Sequence, residues 1–356
     1  MELMEGSLAE AMSMWGPNHL VGSVAHLQVI RFVSASLLHT LARLNYGTSK
    51  SLVHRDVKPD NIMIDSLGAI RLGDFGISKV VEKVQEYSRA STGGPEAFAS
   101  PEAMEDNIQA HRTSDLYSLG MVMLAMMLVK ANGAGIPRDW QSQKMKLEDS
   151  VPQDWPPHIS HAFRCLMKAL LERSPKRRGF NERIPKNMTP HRIVLAHPFF
   201  WSSQKGLRFL VTLGTYRMNS RDTDIAADLG VFRNLRSEVH SAIEHALPEG
   251  KASWFDIVQD LEQTGKHETA DYWKQEPFGL LKFIRNKYIH LNDSDMSVEV
   301  RTKLSQHVFQ HRFPQLVARS WEALLDSIDI IQNYVQHAQL YEFFERPVEV
   351  EWFRSM

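Results

Sequence analysis

From Leu207 onward the chain repeats apolar residues at intervals of three and four. The repeats run from Leu207 to Met218, Ile225 to Leu247, Trp254 to Leu261, Phe278 to Tyr288, Val298 to Phe309 and Pro314 to Val335. That periodicity predicts amphipathic helices, and a succession of them predicts a compact all-α domain. Within Phe278 to Tyr288, Leu280, Leu281 and Ile284 form one stripe to be buried. Earlier the pattern changes. Ile62-Met63-Ile64-Asp65 and Ala69-Ile70-Arg71-Leu72 read as two short strands joined at Ser66-Leu67-Gly68, a hairpin. The stretch from Lys130 to Asp154, with Gly, Pro and charged residues, reads as a loop. No linker rich in Gly, Ser or Pro separates the two kinds of sequence.

A length of 356 residues accommodates two domains. The formal net charge is −1, so a nucleic-acid partner would have to be met by a local patch and not by bulk charge. One cysteine, Cys165, excludes a disulfide framework, and no Cys/His group has zinc-ligand spacing. No run of eighteen apolar residues and no basic-then-apolar leader appears, so the chain is expected to be soluble by itself, without direct membrane contact.

The most specific string is His54-Arg55-Asp56-Val57-Lys58-Pro59-Asp60-Asn61, followed by Asp74-Phe75-Gly76. It resembles the catalytic loop and metal-binding turn of protein kinases. The resemblance implies that Asp56 accepts the substrate hydroxyl proton, Lys58 steadies the transferring phosphoryl group, and Asn61 and Asp74 hold magnesium. Ser100-Pro101-Glu102 resembles the close of an activation segment, and Ser114-Asp115-Leu116-Tyr117-Ser118-Leu119-Gly120 the start of the long buried helix after it. Arg178, in Ser174-Pro175-Lys176-Arg177-Arg178, is then implied to pair with Glu102. Met1 to Leu8 resembles the hinge between kinase lobes, where Glu2 and Met4 would bond the adenine of ATP or ADP and Met63 would floor it. These residues include no Gly-rich loop, strand lysine or helix glutamate, so weak or undetectable ATP binding and no phosphotransfer from this chain alone are expected. Ser88, Ser91 and Thr92 are candidate phosphorylation sites, and Pro95 stands where kinases commonly carry Thr.

Near the end of the helix expected over Phe278 to Tyr288 lie Arg285 and Asn286, and His290 follows Asn286 by one helical turn. A cation, an amide and an imidazole on one face could receive a phosphodiester. The run from His191 to Trp201 resembles the end of a kinase large lobe, yet the chain continues. A large lobe joined to a helical domain carrying Arg-Asn-x-x-x-His resembles the dual kinase/endoribonuclease sensor of the unfolded-protein response, and its relative ribonuclease L. Tyr272, thirteen positions before Arg285, and Arg312-Phe313-Pro314-Gln315-Leu316, followed by a long final helix, extend the resemblance. The implied fold is mostly α: a kinase C-lobe over 1–201, helical with short β-hairpins, fused to an all-α kinase-extension nuclease domain over 205–347.

The family's chemistry uses the 2′-hydroxyl of RNA as nucleophile and needs no metal in the nuclease site. His290 would be the general acid, since an imidazole can exchange a proton near neutrality. Tyr272 would assist at the 2′-hydroxyl, and Arg285 with Asn286 would grip the phosphate. Products would carry 2′,3′-cyclic phosphate and 5′-hydroxyl ends. Lys282 and Lys287 would add charge; Trp273 and Tyr288 would either stack an unpaired base or pack in the core. Implied partners are RNA, as stem-loop or mRNA, a second copy of the chain, and a full-length family member. The location implied is the cytosol, with a full-length sensor anchored in the endoplasmic reticulum membrane. Two other readings stand beside the nuclease: a Ser/Thr kinase whose C-terminal domain regulates it, and a non-catalytic regulatory fragment.

Overall fold

The computed structural model describes residues 4–15, 21–47, 51–76, 79–81, 97–104, 111–129, 151–185, 187–219, 225–261, 276–291, 296–305, 307–333 and 338–345. The chain divides into two compact units, Met1–Trp155 with Phe163–Leu195, and Pro156–Ala162 with Ala196–Met356.

In the first unit, strand β1 (Met4–Ser7) leads into helix α1 (Leu8–Trp15). The junction is a capping box: the Glu10 carboxylate accepts from the Ser7 backbone N–H at 2.7 Å, and Ser7 Oγ accepts from the Glu10 N–H at 3.2 Å. Helix α2 (Val24–Tyr46) starts at Ser23, whose hydroxyl caps the His26 N–H, and buries Leu27, Ile30, Leu37, Leu38 and Leu41. Then come β2 (Ser51–Val53), β3 (Ile62–Asp65), β4 (Ile70–Leu72), β5 (Lys79–Val81) and helix α3 (Pro101–Met104). The hairpin forms where expected, with Ile62 opposite Leu72 and Ile64 opposite Ile70. The Asp65 carboxylate closes its turn by accepting from the N–H groups of Leu67 and Ala69, while Gly68 supplies the positive φ of 77°. Helix α4 (Ser114–Met127) is buried on every side, as a helix apolar all round must be. The part of helix α5 (Pro157–Leu170) from Phe163 onward belongs to this unit, and helix α6 (Pro190–Leu195) follows.

The second unit contains α7 (Ser203–Asn219), α8 (Ile225–Glu244), α9 (Phe255–Val258), α10 (Pro277–Ile289), α11 (Val298–Ser305), α12 (Val308–Arg312), α13 (Leu316–Leu325), α14 (Ile328–Asn333) and α15 (Ala338–Glu345). Leu280, Leu281 and Ile284 of α10 are buried as the stripe requires, joined by Phe278 and Phe283. Trp254, Phe255 and Phe309 surround the Phe283 ring at centroid separations of 5.5, 6.4 and 6.1 Å.

Two expected helices are broken. Val298 to Phe309 divides at His307, which takes a left-handed φ of 56°. Leu304 and Phe309, five positions apart, would diverge by about 140° on one continuous helix; the break lets both be buried. The long final helix divides after Leu325, where the Ser327 N–H tightens back to the Leu324 carbonyl at 3.0 Å and Leu325, Ile328 and Ile331 are all buried.

Candidate functional sites

In the first unit the loop from His54 to Asn61 is held from beneath. Asp115, fully buried in the first turn of α4, accepts from the backbone N–H groups of His54 and Arg55, both at 2.9 Å, and from Asn45 Nδ2 at 3.2 Å. Arg55 adopts φ 70°, a conformation that costs a non-glycine residue on the order of 1 kcal/mol and persists where surroundings fix it. The Asp115 carboxylate is what fixes it. Sequence reading placed Asp115 only as a helix start; its signal was a carboxylate inside an otherwise apolar helix.

Beyond that strained turn, Asp56 and Asn61 are nearly buried. Asn61 Nδ2 donates to the Asp56 carboxylate at 2.7 Å and to its carbonyl at 2.9 Å, and Lys58 Nζ lies 2.9 Å from Asp56 Oδ2. The Asn61 carbonyl accepts from the Gly73 N–H at 2.8 Å, which sets Asp74 beside the loop. Asp74 has φ 53° and its carboxylate accepts from the Gly76 N–H. With the Asn61 amide nitrogen committed to Asp56, its remaining polar atom is an oxygen. That oxygen and the Asp74 carboxylate are both hard donors, the chemistry that suits magnesium. Met4 and Met63 lie on the neighbouring strands β1 and β3, with Ser7 opposite Met63. Glu2, Ser88, Ser91, Thr92 and Pro95 lie outside the described residues.

Glu102 meets Arg178, as implied. Arg178 is fully buried, and its Nη2 donates to Glu102 Oε2 at 2.7 Å while Nη1 donates to Oε1. Burial by itself would raise the Glu102 carboxyl; the Arg178 hydrogen bonds and charge, aided by Ser114, hold it below its ordinary value.

In the second unit, α10 runs on through Ile289, and the His290 N–H bonds the Asn286 carbonyl at 3.1 Å. Asn286 and His290 are therefore one turn apart at the end of one helix. Arg285 Nη1 donates to Asn286 Oδ1 at 2.8 Å. A guanidinium has no acceptor, so the amide must turn its oxygen toward Arg285 and keep its NH₂ for another partner. This end of α10 thus brings together a half-buried guanidinium, an amide NH₂ and the exposed imidazole of His290. Tyr272 and Trp273 lie outside the described residues.

Tyr288 is a packing residue here. Its hydroxyl donates to the Leu304 carbonyl at 2.8 Å, its ring sits 6.0 Å from that of Phe309, and burial pushes the phenol above its ordinary pKa. Lys287 Nζ lies 5.1 Å from the Phe283 ring centroid.

The start of α10 is tied down separately. Arg236 grips the Glu276 carboxylate at 2.7 and 2.9 Å, and Trp254 Nε1 donates to the Glu276 carbonyl at 3.0 Å.

Two comparisons bear on these sites. The protein kinase domain family matches residues 1–200. The chain belongs to the protein kinase domain family. A second family, ribonuclease 2-5A, matches residues 232–337. A protein kinase domain followed by a ribonuclease 2-5A match is an arrangement consistent with that of the dual sensor and ribonuclease L. Among curated relatives, the probable serine/threonine-protein kinase ireA of Dictyostelium discoideum is 24% identical over 309 residues, which cover 85% of this chain and 28% of that protein. Serine/threonine-protein kinase Sgk1 of Danio rerio is 34% identical over 158 residues, 43% of this chain and 34% of that protein. Serine/threonine-protein kinase BCK1/SLK1/SSP31 of Saccharomyces cerevisiae is 29% identical over 175 residues, 48% of this chain and 11% of that protein. The chain therefore spans about a third or less of the length of each of these three relatives.

Within the ribonuclease 2-5A match, the Arg-Phe-Pro element acts as a clamp. Arg312 Nη2 donates to Asp260 Oδ2 at 2.8 Å, Nη1 donates to Oδ1 and also to the Ile257 carbonyl, and Lys303 reaches Asp260 Oδ2 at 2.8 Å. Phe313 behind it is fully buried. The Arg312 hydrogen bonds, with help from Lys303, hold the Asp260 carboxyl well below the usual carboxylate range. A carboxyl depressed in the folded state adds stability above its unfolded pKa of about 4, and that stability drains away as pH falls toward the folded value. Because Asp260 is 42% exposed, the contribution is on the order of 1 kcal/mol or less. Thermal unfolding of Asp260→Asn should accordingly show a lower midpoint than the parent at pH 6 and a smaller difference at pH 3. An unchanged difference across that range would count against the clamp.

Proposed function

We propose that this chain is a metal-independent endoribonuclease of the unfolded-protein-response-sensor type, carried on a Ser/Thr protein kinase platform. The observation that carries the reading is the Arg285–Asn286 hydrogen bond one turn before His290. It gathers a guanidinium, an amide and an imidazole at one helix end, and a phosphodiester is the ligand that such a set fits. In the reaction the 2′-oxygen bonds to phosphorus and the bond from phosphorus to the 5′-oxygen breaks. The 2′-hydroxyl proton passes to a water molecule acting as base, a transfer that Tyr272 would assist. His290 gives its proton to the departing 5′-oxygen, and Arg285 and Asn286 hold the phosphate oxygens as charge builds on them. The products are a 2′,3′-cyclic phosphate and a 5′-hydroxyl. Paired copies of the chain form the surface that RNA spans.

The test is to incubate the purified chain, with its oligomeric state measured, with a stem-loop RNA in EDTA and to analyse the ends by mass spectrometry. Cyclic-phosphate ends in EDTA are expected. Intact RNA in the presence of a demonstrated dimer would overturn the reading, as would cleavage that needs added metal.

A second activity is favoured by the Asp56–Lys58–Asn61 cluster: phosphotransfer to protein hydroxyls by the full-length protein. Magnesium held by Asn61 and Asp74 would neutralise phosphate charge. Asp56, kept in place by Asn61, would accept the hydroxyl proton, and Met4 and Met63 would border the adenine.

A further inference from the structure

Helix α7 crosses α10 at a glycine. Gly214 is buried, and a Cβ placed on it would lie 2.8 Å from Arg285 Cβ and 3.1 Å from the Leu281 carbonyl carbon, and closer still to the Leu281 oxygen. All of those separations are shorter than carbon and oxygen tolerate without movement, and two of the three atoms in the way are backbone. In a helix the Leu281 carbonyl accepts the N–H of residue 285. The atom that a side chain at 214 would strike is therefore the one that seats Arg285. Ordinary helical positions keep their neighbours farther off because each carries at least a methyl group; here that methyl is missing and α10 occupies its place.

We infer that Gly214 is a positioning residue for the nuclease site: by letting the α10 backbone settle against α7 at Leu281, it fixes where Arg285, and through it Asn286, present their donors. The inference rests on the nuclease reading given above. It adds a residue far from the reacting atoms in sequence, on a helix that carries none of the catalytic groups. Relieving the contact requires α10 to move by on the order of 1 Å, and a displacement of that size at a catalytic group can cost about 10²-fold in rate.

The experiment measures kcat and KM on stem-loop RNA for the parent chain, Gly214→Ala, Arg285→Ala and the double variant. Gly214→Ala is expected to lower kcat by about 10- to 100-fold with KM little changed. If it acts through Arg285, the double variant will be no slower than Arg285→Ala alone; independent structural damage would instead multiply the two losses. Leu210→Val guards against a simple stability effect. Leu210 is fully buried one turn earlier on the same helix, and trimming it loosens α7 without pressing on α10. It should lower the unfolding temperature and leave kcat within about twofold. Multiplying losses in the double variant, or a fall in kcat for Leu210→Val that follows its stability, would overturn the positioning role. Full activity in Arg285→Ala would instead overturn the nuclease assignment of this site, whatever Gly214→Ala does.

Discussion

Replacing His290 by alanine is expected to reduce single-turnover RNA cleavage by about 10²- to 10⁴-fold, equivalent to roughly 2.7–5.5 kcal/mol of lost transition-state stabilisation. Expelling a 5′-alkoxide without a proton is slow, and the imidazole is the group at this helix end that can supply one. His290 is exposed and caps α10 through its backbone, which alanine retains. RNA affinity should stay close to that of the parent chain, because Arg285 and Asn286 still meet the phosphate. The loss would thus appear in kcat and leave KM nearly unchanged, the signature of an interaction made in the transition state. Parent-like cleavage by His290→Ala would remove the general acid from the scheme, and a loss confined to KM would recast His290 as a binding residue.

The fold was readable wherever local spacing carried it. The β3–β4 hairpin follows from two short apolar runs and a Gly-containing turn, and α10 from Leu280, Leu281 and Ile284. The breaks at His307 and after Leu325 were not readable, because neither has Gly or Pro to announce it. Both arise from tertiary demand: apolar residues on either side needed the same core, and that core is assembled from segments far apart in sequence. The candidate sites follow the same division. Asp56, Asn61, Arg285 and His290 belong to compact motifs, so local spacing singles them out as candidates. Asp115 and Gly214 act across long sequence separations, on the loop from His54 and on α10 respectively, and no local motif names the partner of either. Tyr288 shows the converse: its aromatic character left base stacking open, and only the hydrogen bond to the Leu304 carbonyl assigns it to packing.

The largest stability effect is expected at Arg178, whose removal should destabilise the first unit by about 3–5 kcal/mol, measured as a fall in the denaturant midpoint. The guanidinium is fully buried and meets both Glu102 oxygens. It also donates to the carbonyls of Glu172 at 2.9 Å, Arg173 at 3.1 Å and Thr113 at 3.2 Å, and lies over the Tyr117 ring. Alanine would leave a nearly buried carboxylate whose remaining side-chain donor is Ser114 Oγ at 2.8 Å. Without Arg178, burial would dominate and push the Glu102 carboxyl above its ordinary value, the reverse of its direction in the parent. The parent should therefore lose stability as pH falls below about 4, where the unfolded chain takes up a proton that the depressed Glu102 carboxylate in the folded state does not yet bind. In Arg178→Ala the raised carboxyl makes the folded state gain relative stability as pH falls, so the deficit should shrink between pH 7 and pH 4. Pairing Arg178→Met with Glu102→Leu removes both charges and should recover part of the loss, since apolar pairs often replace buried ion pairs without penalty. Recovery will be incomplete, because three backbone carbonyls lose their donor. A deficit independent of pH would mean that the lost carbonyl contacts, and not the stranded carboxylate, set the cost.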